Sequence, residues 1–189
     1  RPTTIGTSEP YVVVIRTGLR VDLGGEVSEA SAVLTWAEFR DARPDLAEPG
    51  KALLYQFGVG LAFLGTTRRD GRPRVHPMCP VIAADGLFGL IIPSPKLGDL
   101  VRDGHYAMHS FPCPQNEDAF YITGNAQRAD PRFRDAIETA FLGERSWDIA
   151  PPGFDEQSLI EFRIDSCLLT TTTGHGDHDP QHTIWNASG

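Results

Sequence analysis

The run from Thr66 to Leu100, TTRRDGRPRVHPMCPVIAADGLFGLIIPSPKLGDL, constrains this chain more than any other stretch. Its apolar segments, punctuated by Asp70-Gly71 and Asp85-Gly86, read as a β-meander, because Asp-Gly pairs accept the positive φ of tight hairpins. Yet the segment in between carries Pro73, Pro77 and Pro80. Proline has no N–H for a ladder and belongs at sheet edges, strand starts or bulges. Any sheet built around this segment has to leave it an open side.

The rest of the chain predicts short helices around antiparallel strands. Thr35 followed by Glu38 before an apolar pattern is a capping-box order, which starts a helix over 35–42 that Pro44 ends. A second helix begins at Asp45 or Pro49 and runs to Phe57. Strands are expected over 61–67, 72–84, 87–93, 105–111, 118–129 and 158–173, with helices over 94–103 and 130–142. Six or so antiparallel strands with short helices predict a mainly β fold, a closed or partly split β-barrel. Residues 1–33 read as an N-terminal arm or linker, 34–173 as the barrel domain, and 174–189 as a polar, His-rich tail.

Composition narrows the partners. Seventeen basic residues against twenty-five acidic ones give a net charge of −8, and no basic run interrupts it, which argues against a nucleic-acid surface. No apolar run approaches the roughly 20 residues of a membrane helix, and YVVVIR is too short for the core of a signal peptide. Cys79, Cys113 and Cys167 are odd in number and lack CxxC spacing, so reduced thiols in a cytoplasmic protein are the expectation.

Three groups of residues are candidates for chemistry. A two-residue period on 72–84 sets Arg74, His76 and Met78 on one face and Val75, Pro77, Cys79 and Val81 on the other. The second set reads as core; the first is either a solvated face or one that meets a ligand. Ser94-Pro95-Lys96 reads as a helix start, where free N–H groups, a hydroxyl and an ammonium suit a phosphate; the alternative is an ordinary capped helix. Lys96 is one of only two lysines, with Lys51. In the tail, His175, Asp177, His178 and His182 raise metal binding as an option, but no helix fixes their spacing and no metal site is expected. Trp185 is expected to fold back over a cleft or a subunit seam.

Taken in order, AFLGTTRRDGRPRVHP, DGLFGLIIPSPKLGDLVRDGHYAMH and FYITGNAQRADP resemble the pyridoxamine 5′-phosphate oxidase-like, FMN-binding split-barrel superfamily over about Thr35 to Thr173. The pattern is Thr66 or Thr67 at a strand end, Asp70-Gly71-Arg72-Pro73, Asp85-Gly86, then Ser94-x-Lys96-x-x-x-Leu100. That resemblance implies a homodimer with two cofactor sites at the interface between barrels. It implies that Ser94, Pro95 and Lys96 hold the cofactor phosphate, with Arg74 assisting. Val75, His76, Pro77 and Met78 would line the isoalloxazine edge, and His109 and Ser110 would reach the same cleft, perhaps from the other subunit. No catalytic residue is assigned: His76 and His109 are the candidate proton donors, with a structural role as the alternative for both. The chain lacks the R-x-V-L-L strand and the R-L-x-P ending of true pyridoxamine phosphate oxidases, which argues against vitamin B6 oxidation. DGRPRVHP is closer to the flavin/deazaflavin oxidoreductases, whose cleft takes FMN, the deazaflavin coenzyme F-420 or haem-derived tetrapyrroles. The expected activity is FMN- or deazaflavin-dependent reduction of a small organic substrate; the alternative is non-catalytic binding of a flavin or of haem.

Overall fold

A computed structural model describes residues 32–146 and 148–188. The stretch YVVVIR and nearly all of the expected N-terminal arm lie outside the described residues. Helix α1 (Trp36–Ala42) starts as its sequence dictates: Thr35 N–H donates to Glu38 Oε2 at 2.7 Å, and Glu38 N–H returns a bond to Thr35 Oγ1 at 3.3 Å. Helix α2 (Pro44–Leu54) follows at once, because Pro44 takes the first helical position, where a missing N–H costs nothing.

Among the described residues eight antiparallel strands follow: β1 (Ala62–Thr67), β2 (Pro73–Met78), β3 (Pro80–Ala83), β4 (Gly86–Ile91), β5 (His105–Ser110), β6 (Ala119–Arg128), β7 (Ser158–Thr171) and β8 (Gln181–Asn186). Helix α3 (Pro95–Arg102) lies between β4 and β5. A 3-10 turn (Pro131–Phe133) and helix α4 (Arg134–Glu144) lie between β6 and β7. The sheet order is β2-β1-β5-β6-β7-β4-β3, with β8 on β7. The protein is mainly β, a split barrel with short helices.

The proline-rich run is not one strand but two. β2 pairs with β1 at one end of the sheet, β3 pairs with β4 at the other, and Cys79 joins them. The chain itself therefore bridges the two ends of the curled sheet. Gly60 lets this happen: a Cβ there would stand 1.9 Å from the Pro80 carbonyl oxygen, so any other residue would push the bend outward.

Side-chain facing follows from the same break. Val75, expected in the core, is 64% exposed, whereas Met78 and Val81 are buried. The two-residue period fails across Cys79, so one extrapolated face cannot serve both strands. The hairpin also turns one residue early. Ala84 and Asp85, at φ 48° and 64°, are its central residues, and Gly86 already pairs with Ala83. Gly86 serves packing instead, since a Cβ there would lie 2.4 Å from the Phe88 ring.

The main core fills the barrel and the contact with α1 and α2, around Trp36, Phe39, Leu64, Met108, Phe120 and Phe162. A second, smaller cluster of Val81, Phe88, Ile137 and Leu159 lies under α4. The expected tail contributes to the fold: residues 181–186 pair with the second half of the 14-residue β7, and Trp185 packs on Phe39 with ring centroids 5.2 Å apart. Trp185 thus covers the core beside α1. Among the described residues no helix is long and apolar enough to cross a membrane.

Candidate cofactor site

β2 is a strand with one open edge. Arg68 N–H donates to the Arg72 carbonyl at 2.9 Å, which makes that pair a hydrogen-bonded one in the β1–β2 ladder. Pairs two residues on repeat the pattern, so Arg74, His76 and Met78 turn their peptide groups toward β1. Pro73, Val75 and Pro77 consequently turn theirs to the open side. Both prolines sit where an N–H would have pointed out, leaving Val75 as the one outward donor of the three. The edge cannot recruit another strand in regular register, yet it offers one N–H flanked by carbonyls.

Helix α3 begins beside this strand. Ser94 takes the N-cap, and its Oγ accepts from Leu97 N–H at 3.4 Å. Pro95 has no N–H, and Gly98 N–H bonds to the Ser94 carbonyl at 3.1 Å. Among the described residues the Lys96 N–H has no acceptor, so the first turn leaves it open. The Lys96 side chain is half-buried, and among the described residues its ammonium has neither a hydrogen-bond nor an ion-pair partner. Burial pulls its pKa below the ordinary lysine value, an effect that nearby Cys79 partly opposes. A partly desolvated cation beside the positive end of a helix is an arrangement that can receive an anion.

Arg74 is differently engaged. Its Nε donates to Asp99 Oδ2 at 2.7 Å, Thr66 Oγ1 donates to the same oxygen at 3.2 Å, and Arg102 Nη1 donates to Oδ1 at 3.1 Å. Arg102 Nη2 also donates to the Thr67 carbonyl. Asp99 is 5% exposed. Burial alone would raise its pKa, but the bonds from Arg74, Arg102 and Thr66 together hold it below the usual carboxylate range. This group clamps α3 onto the β1–β2 edge. The sequence pattern marks Thr66 only as a strand end and assigns no role to Asp99 or Arg102; the i, i+3 spacing of Lys96, Asp99 and Arg102 on one short helix is the signal for them.

The remaining expected residues do not converge. His76 is exposed and pairs with Leu64, whereas His109 pairs with Phe63, so the two imidazoles project from opposite faces of the sheet. His109 Nδ1 lies 2.6 Å from the carbonyl of Ser110, a bond internal to β5. Ser110 is fully buried and accepts from Phe120 N–H at 3.1 Å, a core role that takes it out of any cleft of its own chain. In the tail, His182 bonds to Thr170 and His175 to the Pro114 carbonyl. Among the described residues no three His, Cys, Asp or Glu side chains gather as metal ligands.

An antiparallel barrel split along a proline-blunted edge, with a helix start beside it, defines the class: a split β-barrel. No family model and no curated protein sequence matches the chain. Solved structures do match its fold. One is a haem-binding protein from Mycobacterium smegmatis, at TM-score 0.53 and 13% identity, covering 73% of this chain and 57% of that one. The chain thus spans little more than half of that protein's length. A NimC/NimA family protein from Clostridium acetobutylicum matches at TM-score 0.52 and 13% identity, covering 76% and 98%. A protein assigned as a pyridoxamine 5′-phosphate oxidase from Listeria innocua matches at TM-score 0.51 and 16% identity, covering 65% and 95%. The fold is that of the pyridoxamine 5′-phosphate oxidase-like split barrels.

Proposed function

We propose that this chain binds FMN or the deazaflavin coenzyme F-420 by its phosphate at Lys96 and reduces a small organic substrate, as a cytoplasmic homodimer with a cofactor site at each interface. The observation that carries the reading is the half-buried Lys96 ammonium, which has no counter-ion among the described residues. A phosphate would supply that counter-ion, and the open Lys96 N–H would add a second bond. Ser94 sets the helix start, and Pro95 keeps the first turn from wasting a donor. The β2 edge would meet the rim of a flat ring system, with Val75 N–H as its donor and Pro73 and Pro77 keeping competing strands away.

A bound flavin or deazaflavin supplies hydride transfer. The chain's part is to orient the ring, keep water from one face, and hold a proton donor within reach. His76, exposed on β2, is the imidazole nearest in sequence to that edge and would be that donor.

A second reading, non-catalytic binding of a flavin or a tetrapyrrole, draws on the exposed His76 imidazole and on the fold shared with the haem-binding protein of Mycobacterium smegmatis. The visible spectrum of the purified chain separates the two: bands near ~370 and ~450 nm mean flavin, a Soret band means haem. Titration of the wild type and of Lys96→Ala with FMN and with F-420 then tests the anchor. The variant should bind at least about tenfold more weakly, as expected for losing a charge-assisted bond to phosphate. Equal affinity in a folded variant removes Lys96 from the site, and binding of neither cofactor by the wild type removes the reading.

A further inference from the structure

A cavity of about 540 Å³ with a mainly polar lining opens between the β3–β4 hairpin, the end of β6, the 3-10 turn and β7. It shares no residue with the Lys96 site. On its floor, successive same-face positions of β7 carry Glu161 and Arg163. Glu161 is 8% exposed, and its Oε2 accepts from Gln127 Nε2 at 2.9 Å. Arg163 Nε approaches that same oxygen to 3.5 Å without a hydrogen bond, and this buried atom has no other partner among the described residues. Both neighbours crowd Oε2, so Oε1 has no bond among the described residues. Glu38, the other acid whose charge reaches Arg163, is already held by Thr35 in the capping box. At the rim, Arg128 bonds to Ser158 Oγ at 3.3 Å, and Phe133 forms an apolar wall.

The Arg163 side chain is 34% exposed, but its Nε is shielded and unbonded, and a polar atom buried without a partner destabilises the fold until something completes its bond. A cavity within the roughly 300–1,000 Å³ range of small-molecule sites has room for more than water. A plain anion there meets Glu161, and a plain cation meets Arg163, each at a cost. Only a ligand carrying both signs satisfies the pair, whose strand positions lie about 7 Å apart.

We propose that this cavity binds a small zwitterion of the α-amino-acid class. Its ammonium bonds to Glu161 Oε1, its carboxylate to the Arg163 and Arg128 guanidinia, and its apolar side chain lies against Phe133. Calorimetric titration of the full chain with L-leucine, N-acetyl-leucine and leucine amide tests this directly. Each blocked derivative lacks one of the two charges. Leucine should bind at least about tenfold more tightly than either, one charge-assisted bond being lost in each derivative. Glu161→Gln should bring leucine down to the level of N-acetyl-leucine, and Arg163→Gln to that of leucine amide. If either variant fails to fold, the wild type still decides: the Gln127 side-chain amide resonance should shift with leucine and not with the blocked forms. Equal binding of all three compounds, or no response to leucine at about 10 mM, a concentration above the weakest useful affinities, overturns the proposal and leaves a hydrated cavity.

Discussion

Asp99→Asn is the sharpest test of how α3 is held. Asparagine keeps the shape of the side chain but removes its charge and turns an N–H₂ toward two guanidinia. The carboxylate takes three bonds, at 2.7, 3.1 and 3.2 Å, two of them from arginines. Breaking one side of a deeply buried ion pair costs about 3–5 kcal/mol. Asp99 is hidden by the arginines laid over it rather than sunk in the core. Those arginine side chains remain 24% and 32% exposed, so solvent screens the pair. A loss of about 2 kcal/mol is therefore expected, near one charged hydrogen bond. Because the folded pKa is depressed, this stabilisation is present above the unfolded carboxylate value, about 3.9, and is lost as pH falls through the lower folded value. Urea unfolding should separate wild type and variant by about 2 kcal/mol at neutral pH, and the gap should close in strong acid. A gap under about 0.5 kcal/mol at neutral pH, or one undiminished at about pH 2, refutes the clamp.

Arg74→Gln should change FMN or F-420 affinity by less than about threefold, against the tenfold of Lys96→Ala, because Arg74 is spent on Asp99; equal losses in the two titrations would make Arg74 a direct phosphate ligand. Tyr55 Oη donates to Glu144 Oε1 at 3.0 Å and accepts from Ile82 N–H at 2.8 Å, pinning β3, so Tyr55→Phe should cost about 1–2 kcal/mol in urea unfolding. Burial, above all, pushes that phenol's pKa well up, so the stability gap between wild type and Tyr55→Phe should shrink as pH rises past about 10, where the unfolded chain releases the proton first. Trp185→Ala should lower stability by about 2 kcal/mol and weaken the near-ultraviolet dichroism of the Phe39–Trp185 contact; an unchanged midpoint would mean that β8 adds nothing to the core.

Much of the architecture was legible because its signals are local. The Thr35–Glu38 box, Ser94 before Pro95, and the apolar runs of β1, β4 and β6 each announce themselves within a few residues. β8 was not legible: QHTIWN is polar, and it becomes a strand because the second half of β7 has a free edge to pair with. The candidate site was legible in part. Lys96 and Ser94 belong to a motif with a mechanism, whereas the sequestration of Arg74 by Asp99 depends on two segments meeting across 25 residues.

The sequence by itself determined that a proline-rich stretch must lie on an open edge, since proline cannot donate to a ladder wherever it is placed. It also determined that a helix starts at Ser94 and carries a lysine in its first turn, since capping is decided by adjacent residues. Only the tertiary structure decided that the stretch divides at Cys79, with its halves on opposite ends of the sheet. It alone decided that Val75 faces out, that Ser110 lies in the core, and that His76 and His109 stand on opposite faces. Strand partners and facing are set by contacts between distant segments, and a one-residue shift in register reverses every side chain.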